Sequence, residues 1–249
     1  MLIDILRSDS PGLMKIIELC IFILTIAISL TMHEFMHGWA AYKCGDSTAK
    51  EQGRLSFNPL VHFDPVGVIM MLFVGFGWAK PVMINPGRMN RFKKRDTSVR
   101  IVSLAGVAAN FALAFISYFL FIILKIVGFY QNISFNLDAS GSMISFLLSI
   151  LYAFLYIMFI SNLMLLAFNL IPIPPLDGFR VVETFLPTGI RYKLNSMGRN
   201  LSYIIFAIMI IGRSTNMNLL GSLVNYISIP FQYAIQVPLD KLFEFLILR

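Results

Sequence analysis

Residues 33–37 read HEFMH and lie in an apolar segment, the feature that most constrains what this chain can fold into. Residues 19–32, just before them, carry no charge. On an α-helix, His33 and His37 fall one turn apart on one face, where both can bind one zinc ion. Glu34 then lies beside that ion and can take a proton from a bound water. Because ionisable residues are costly inside a membrane helix, we expect these three to form a functional site.

The composition independently indicates a membrane protein. Hydrophobic residues make up 57% of the chain and charged residues 13%, and the mean hydropathy is +0.76. A soluble domain carries about a quarter charged residues. The net charge of +7 could indicate nucleic acid, but the basic residues cluster between apolar segments and more simply face anionic lipid headgroups. We therefore predict one membrane-embedded domain over residues 1–249, with a lipid bilayer and no nucleic acid as partner.

The apolar segments predict an all-α polytopic protein with about five transmembrane helices. The first, residues 16–42, would run roughly 40 Å as a helix, more than the ~30 Å hydrocarbon core. Residues 101–124 and 143–171 are also long enough to cross and contain no charge. Residues 201–212 and 219–237 form either a fourth and fifth span or one span plus a re-entrant piece.

A shorter apolar run, residues 66–79, is too brief to cross and is interrupted by Gly67, Gly75 and Gly77. It predicts a re-entrant loop or short β-strands after the first helix. Such backbone persists at membrane depth only where protein or a water-filled cavity covers it. This loop, with the extended stretch NPLVHFDP before it, could offer an edge to an unwound peptide.

The basic residues predict the orientation. Residues 43–98 are rich in Lys and Arg, whereas residues 125–142 hold one lysine. By the positive-inside rule, the large basic loop 43–98 is cytoplasmic and the N-terminus is outside, in the cell membrane. The basic segment 172–200 then also falls inside, and with five spans the tail 241–249 would be cytoplasmic too.

A catalytic zinc needs three protein ligands and an open position for water. On this topology the third long span reaches its cytoplasmic end near residue 172, at the depth of the two histidines. Prolines at 172, 174 and 175 break the helix there, and Asp177 follows. We predict Asp177 as the third ligand of one Zn²⁺ per chain; capping a helix is its alternative role.

HEFMH near the end of one membrane segment and NLIPIPPLDG (residues 169–178) after a later one resemble the site-2 protease family of intramembrane zinc peptidases. Residues 45–46, 53–67 and 105–110 are similar to the compact bacterial branch of that family, which lacks PDZ and CBS modules. The resemblance covers roughly residues 30–186. The chain departs from the family pattern at Val107 and Phe179, where a proline and a small residue are common.

The resemblance implies a metallo-endopeptidase that cleaves single-span membrane proteins or signal-peptide-like substrates, in regulated intramembrane proteolysis, at a site near the cytoplasmic side. It implies a core of three helices over residues 14–186, followed by C-terminal membrane segments over 200–240, and allows a homo-oligomer. Carried over by position, His33, His37 and Asp177 bind zinc and Glu34 is the general base. Asn169 would steady the substrate or the developing oxyanion.

Three polar residues have open roles. Asn110, in the second span, either bridges two helices or supports the substrate or oxyanion at the site. We expect His62 and Asp64, between two prolines, to have structural roles; His62 is the next candidate for a zinc ligand.

Two other functions would use the same residues. A proteolytically inactive, substrate-binding homologue would not need the Glu34 carboxylate. A metal transporter would need further ionisable residues along its spans, and residues 101–124 and 143–171 contain none.

Overall fold

The computed structural model describes residues 11–74, 77–131, 133, 135, 142–197, 207 and 219–247. The helices among them are α1 (Gly12–Lys43), α2 (Thr48–Glu51), α3 (Pro65–Val74), α4 (Arg95–Tyr130), α5 (Met143–Asn169), α6 (Asp177–Glu183), α7 (residues 188–197) and α8 (Leu219–Ile247). Short 3₁₀ turns occur at Pro59–Val61 and Pro86–Arg88.

Helices α1, α4 and α5 are long and apolar enough to cross a membrane. They contain the first three predicted spans, so the predictions of a helical membrane protein and of these three elements are confirmed. Residues 219–237 lie in α8, which also carries charges near its end and is not one of the three. The predicted segment 201–212 lies almost wholly outside the described residues, so the count of five spans remains a prediction.

Local chemistry sets the helix ends nearest the site. Helix α1 ends just before Gly45, whose φ of +104° is a conformation that glycine adopts without strain. Helix α5 begins at Met143 because Ser142 caps it: the Ser142 hydroxyl accepts a hydrogen bond from the N–H of Ser145. It ends at Asn169 because Pro172 and the prolines after it cannot continue a helix.

Two of the four apolar clusters among the described residues join α8 to the long helices. In one, Phe159 and Leu163 of α5 are buried between Ile122 of α4 and Ile235 of α8. The other cluster lies nearer the site and joins α4, α5 and the turn before α6 to the start of α8. Helix α1 contacts both α4 and α5, so α1, α4 and α5 form the three-helix core that the family resemblance implies.

Helix α8 begins at the end of the three-helix core next to α6 and runs to the opposite end of the core. Val224, near its start, packs in the cluster that contains Leu176, the residue just before α6. At its other end, the Tyr130 hydroxyl, at the end of α4, donates to the Leu246 carbonyl. The end of α8 therefore lies with the end of α4 that we predict to be outside. This position differs from the cytoplasmic tail that we predicted for residues 241–249. That prediction assumed five spans, with residues 201–212 crossing the membrane as well.

The segment after the first helix, expected to be a re-entrant loop or short strands, is helical over Pro65–Val74. Among the described residues there is no β-strand, only an isolated antiparallel bridge between Phe63 and Ala79. Residues Pro65–Val74 form α3 because the Asp64 carboxylate accepts from the N–H groups of Val66 and Gly67 and so caps the helix. The short strands predicted between 66 and 79 are therefore not confirmed, and a re-entrant path remains a prediction. The bridge brings the two ends of the segment together.

Candidate metal centre

His33, His37 and Asp177 form one buried group. The two Nε2 atoms lie 3.0 Å apart, and Asp177 Oδ2 lies 3.2 Å from that of His33 and 3.0 Å from that of His37. The exposed fraction of each residue is 9% or less. The histidines come from one face of α1 and the aspartate from the first turn of α6, so the expected meeting of these segments occurs.

The other ring nitrogens of the two histidines have fixed partners on α4. His37 Nδ1 lies 2.7 Å from the backbone carbonyl of Val102, and His33 Nδ1 lies 2.6 Å from Oδ1 of Asn110. Both partner atoms are oxygens that accept, so each Nδ1 carries the proton. Each Nε2 then presents its lone pair to the centre of the group, as metal-binding imidazoles do.

The group fits a cation. Asp177 Oδ2 is buried and has no hydrogen-bond donor within the described part of the chain, although two Nε2 atoms are in contact with it. Three buried acceptors facing one another are unfavourable unless a positive charge lies among them. Their separations are close to the roughly 3.3 Å between two ligands of a tetrahedral zinc. The donor set therefore fits zinc with one position left open.

Glycines let the backbones approach the site. A Cβ atom at Gly106 of α4 would lie 2.4 Å from His37 Nε2 and 2.7 Å from His33 Cε1. A Cβ atom at Gly178 would lie 2.2 Å from the carbonyl oxygen of Leu170. Glycine is therefore required both where α4 passes the imidazoles and where the turn after α5 folds back on Asp177.

The Glu34 side chain is tied to the basic loop. Its Oε2 accepts a 2.8 Å hydrogen bond from the backbone N–H of Val82, and the residue is only partly buried. Arg54, which is 6% exposed, holds the segment before Val82 because its guanidinium donates to the carbonyls of Lys80 and Val61. The backbone of this loop thus fixes the orientation of the Glu34 carboxylate.

The remaining predicted residues lie around this group. Asn110 is fully buried and contacts both His33 and Asn162 of α5, so it bridges helices and adjoins the site at once. Asn169 donates to the Leu165 carbonyl of its own helix, with no hydrogen bond to the metal group among the described residues. His62 is fully buried, bonds to the Ser56 carbonyl and is not in the metal group.

A cavity of about 560 Å³ lies beside the residues that hold the metal group. Ile84 and Pro86 of the loop form one wall, and Pro174 and Phe179 form another. Val102, whose carbonyl binds His37, also lines it. Phe179, where we expected a small residue, is 5% exposed and lines this cavity.

Sequence analysis did not identify Val82, Arg54 or Asn162. The N–H group that contacts Glu34 belongs to the backbone and has no sequence signal. Asn162 did have one, because the uncharged apolar spans 101–124 and 143–171 contain three amide residues, Asn110, Asn162 and Asn169. Buried amides in such spans need partners, and here Asn110 and Asn162 are partners of each other.

Comparison with known proteins gives consistent matches. A sequence profile described as Peptidase family M50 matches residues 21–212. A Bacillus subtilis protein, provisionally named zinc metalloprotease YwhC, is 39% identical over 189 residues, which cover 76% of this chain and 79% of that protein. A Mycolicibacterium smegmatis protein, provisionally named zinc metalloprotease Rip2, is 31% identical over 67% of this chain and 58% of that protein. No solved structure matches the chain significantly.

Proposed function

This chain belongs to peptidase family M50 and is a zinc metallopeptidase of the site-2 type, and on that premise we propose that it cleaves membrane-spanning segments of other proteins at a site near the cytoplasmic side. We assign the zinc ligands to His33, His37 and Asp177 and the general base to Glu34. The proposed substrates are single-span proteins or signal-peptide-like segments.

The observation that carries this proposal is the buried metal-binding group on a helix able to cross a membrane. Both histidines lie on α1, which is long and apolar enough to span, and Asp177 follows the end of another such helix. An ionisable cluster at such a place is costly and is expected to have a function. A peptidase site there would act on peptides that are themselves in the membrane.

The chemistry is divided between the metal and the protein. Zinc held by His33, His37 and Asp177 would supply Lewis-acid chemistry, making a water more acidic and polarising the scissile carbonyl. Glu34 accepts the proton of the attacking water and passes it to the leaving amine. The contact between its Oε2 and Val82 N–H holds the carboxylate in one direction, which keeps its other oxygen free for that proton.

A helical substrate must unwind before its carbonyl can be attacked, because its backbone carbonyls are already hydrogen-bonded. We propose that the extended backbone of residues 77–84 pairs with the unwound strand. Residues 65–74 cannot do this, since they form α3. The position of Val82 next to Glu34 supports this assignment. Asn169, half-buried at the end of α5, remains our proposal for supporting the substrate or oxyanion.

The cytoplasmic location rests on charge. The basic loop 43–98 joins α1 and α4 at their metal-site ends, so the positive-inside rule places this end in the cytoplasm. The cavity between that loop and Phe179 lies at the same end and would admit water or product.

The test is cleavage of defined peptides. The purified protein would be reconstituted in liposomes with a panel of synthetic single-span peptides, some with a helix-weakening Gly–Pro pair, and products identified by mass spectrometry. We expect cleavage inside the apolar segment, faster for the weakened helices, and none with Glu34→Gln. Equal products from wild type and Glu34→Gln would contradict the assigned base. Peptide capture without cleavage by the wild type would instead support a substrate-binding homologue.

A further inference from the structure

A chain of hydrogen bonds runs through the membrane core to His33. Asn162 of α5 donates from Nδ2 to the Met158 carbonyl at 2.8 Å, and its Oδ1 accepts from Nδ2 of Asn110 at 2.8 Å. Asn110 Oδ1 in turn lies 2.6 Å from His33 Nδ1. Met158 carbonyl, Asn162, Asn110 and His33 are here called the amide relay. Ser29 is a side branch, since its hydroxyl accepts from Asn162 Nδ2 at 2.9 Å.

The Met158 carbonyl fixes the direction of this relay. A carbonyl only accepts, so the atom of Asn162 that faces it must be the NH₂ group. The Asn162 oxygen then faces Asn110, which must donate to it from its own NH₂ group. The Asn110 oxygen is thereby turned toward His33, so that Nδ1 of the imidazole must be the donor.

Reversing either amide is unfavourable because the relay is shielded from solvent. Both asparagines are 0% exposed, and the Ser29 side chain beside them is also fully buried. A reversed Asn162 would set its oxygen against the Met158 oxygen, and a reversed Asn110 would set its oxygen against the Asn162 oxygen. Each arrangement leaves a buried polar group unsatisfied, which costs more than an ordinary hydrogen bond contributes.

We propose that Asn162, acting through Asn110, is a positioning residue that holds His33 in the Nδ1–H tautomer, with the Nε2 lone pair directed at the metal. His37 receives the same restraint directly from the Val102 carbonyl. The inference rests on the proposed function only in taking His33 as a zinc ligand. It assigns a role to a residue on α5 that does not touch the metal group.

The first experiment needs no variant. The chain has three histidines, so ¹⁵N spectra of histidine-labelled, metal-free protein in detergent contain few side-chain signals and can be assigned with single substitutions. We expect Nδ1 of His33 to carry a proton and to donate to Asn110, whether or not the metal-free site also holds a proton on Nε2. A neutral His33 ring protonated only at Nε2 in the wild type would overturn the proposal outright.

The second experiment breaks the relay away from the site. Asn162→Leu leaves Asn110 free to turn over, so we expect a population of His33 rings without a proton on Nδ1 to appear. We expect zinc affinity, measured by chelator competition, to fall about tenfold or more, as it does when outer partners of metal ligands are lost. Ser29→Ala is the matched control, because the Met158 carbonyl still fixes the relay. Its tautomer and zinc affinity should stay at wild-type values.

Rescue separates positioning from packing. In the Asn162→Leu background, Asn110→Asp presents only acceptor oxygens to His33 in either orientation, so we expect the Nδ1–H tautomer and zinc affinity to return. Loss of helix packing would not be repaired by adding a carboxylate. Wild-type tautomer and affinity in Asn162→Leu, or no recovery in the double variant, would refute the relay.

Failure of the relay and failure of the proposed function give different results. The tautomer is measured without zinc or substrate. If His33→Ala keeps wild-type zinc, the ligand assignment fails whatever the tautomer is. If His33→Ala loses zinc while Asn162→Leu changes nothing, only the relay fails.

Discussion

Gly106 of α4 lies against the imidazole of His37, so that a Cβ atom at this glycine would come within 2.4 Å of Nε2. Val102, one turn earlier, accepts from the same ring, and Asn110, one turn later, contacts His33. Positions four residues apart share a helix face, so a single face of α4 contacts the imidazoles of both histidines.

Gly106→Ala should therefore impair metal binding. The added methyl group must push an imidazole away from Asp177, and we expect zinc affinity to fall about tenfold or more. Chelator competition on the detergent-purified protein measures this. Gly189→Ala is the matched control, because a Cβ atom there meets nothing within 4 Å. Wild-type affinity in Gly106→Ala would mean that α4 does not constrain the histidines.

Arg54→Lys should lower turnover without removing zinc. The guanidinium binds the carbonyls of Val61 and Lys80 together, and a lysine ammonium cannot reproduce that fork. The segment before Val82 would loosen, and Glu34 would lose its fixed partner. We expect kcat to fall about tenfold or more, on the scale of general-base catalysis, at full zinc content.

The control for that change is Arg88→Lys, an identical substitution at an exposed ion pair with Glu51. We expect little effect, because exposed pairs contribute about 0–1 kcal/mol. Equal losses in both variants would show that the Arg54 contacts are not specific to the Glu34 loop.

Tyr118→Phe should weaken the attachment of α8. The Tyr118 hydroxyl donates to Asp240 Oδ1 at 2.7 Å, and the residue is 4% exposed. Removing the donor leaves a half-buried carboxylate without this partner, at a cost of about 1–3 kcal/mol. The thermal unfolding midpoint in detergent should fall accordingly.

Tyr130→Phe is its counterpart, since Tyr130 bonds the Leu246 carbonyl from an exposed position. An exposed substitution of this kind should change stability by no more than about 0.5 kcal/mol. A larger fall in Tyr130→Phe than in Tyr118→Phe would contradict the importance of the buried contact.

The metal group could be predicted because its signals are local. The spacing of His33 and His37 matches one helical turn, and the prolines after residue 171 end a helix just before Asp177. The expected order of three membrane spans was enough to predict that Asp177 lies near the histidines. That order was inferred from the lengths of the apolar segments.

Features that depend on tertiary contacts could not be predicted. After residue 66 we expected a re-entrant loop or short strands, but α3 forms because capping by Asp64 and an apolar run without long alternation favour a helix. The direction of α8 depends on which helices it packs against. The roles of Val82 and Asn162 depend on backbone groups that the sequence does not mark.

The most direct test of the account is the zinc content of three purified proteins: wild type, Glu34→Gln and Asp177→Ala. We predict about one zinc per chain in the wild type and in Glu34→Gln, and little in Asp177→Ala, because three protein ligands are needed for a stable site. Full zinc in Asp177→Ala would contradict the joining of α1 and α6 by a shared metal. The third ligand would then have to be sought elsewhere, with His62 the first residue to substitute.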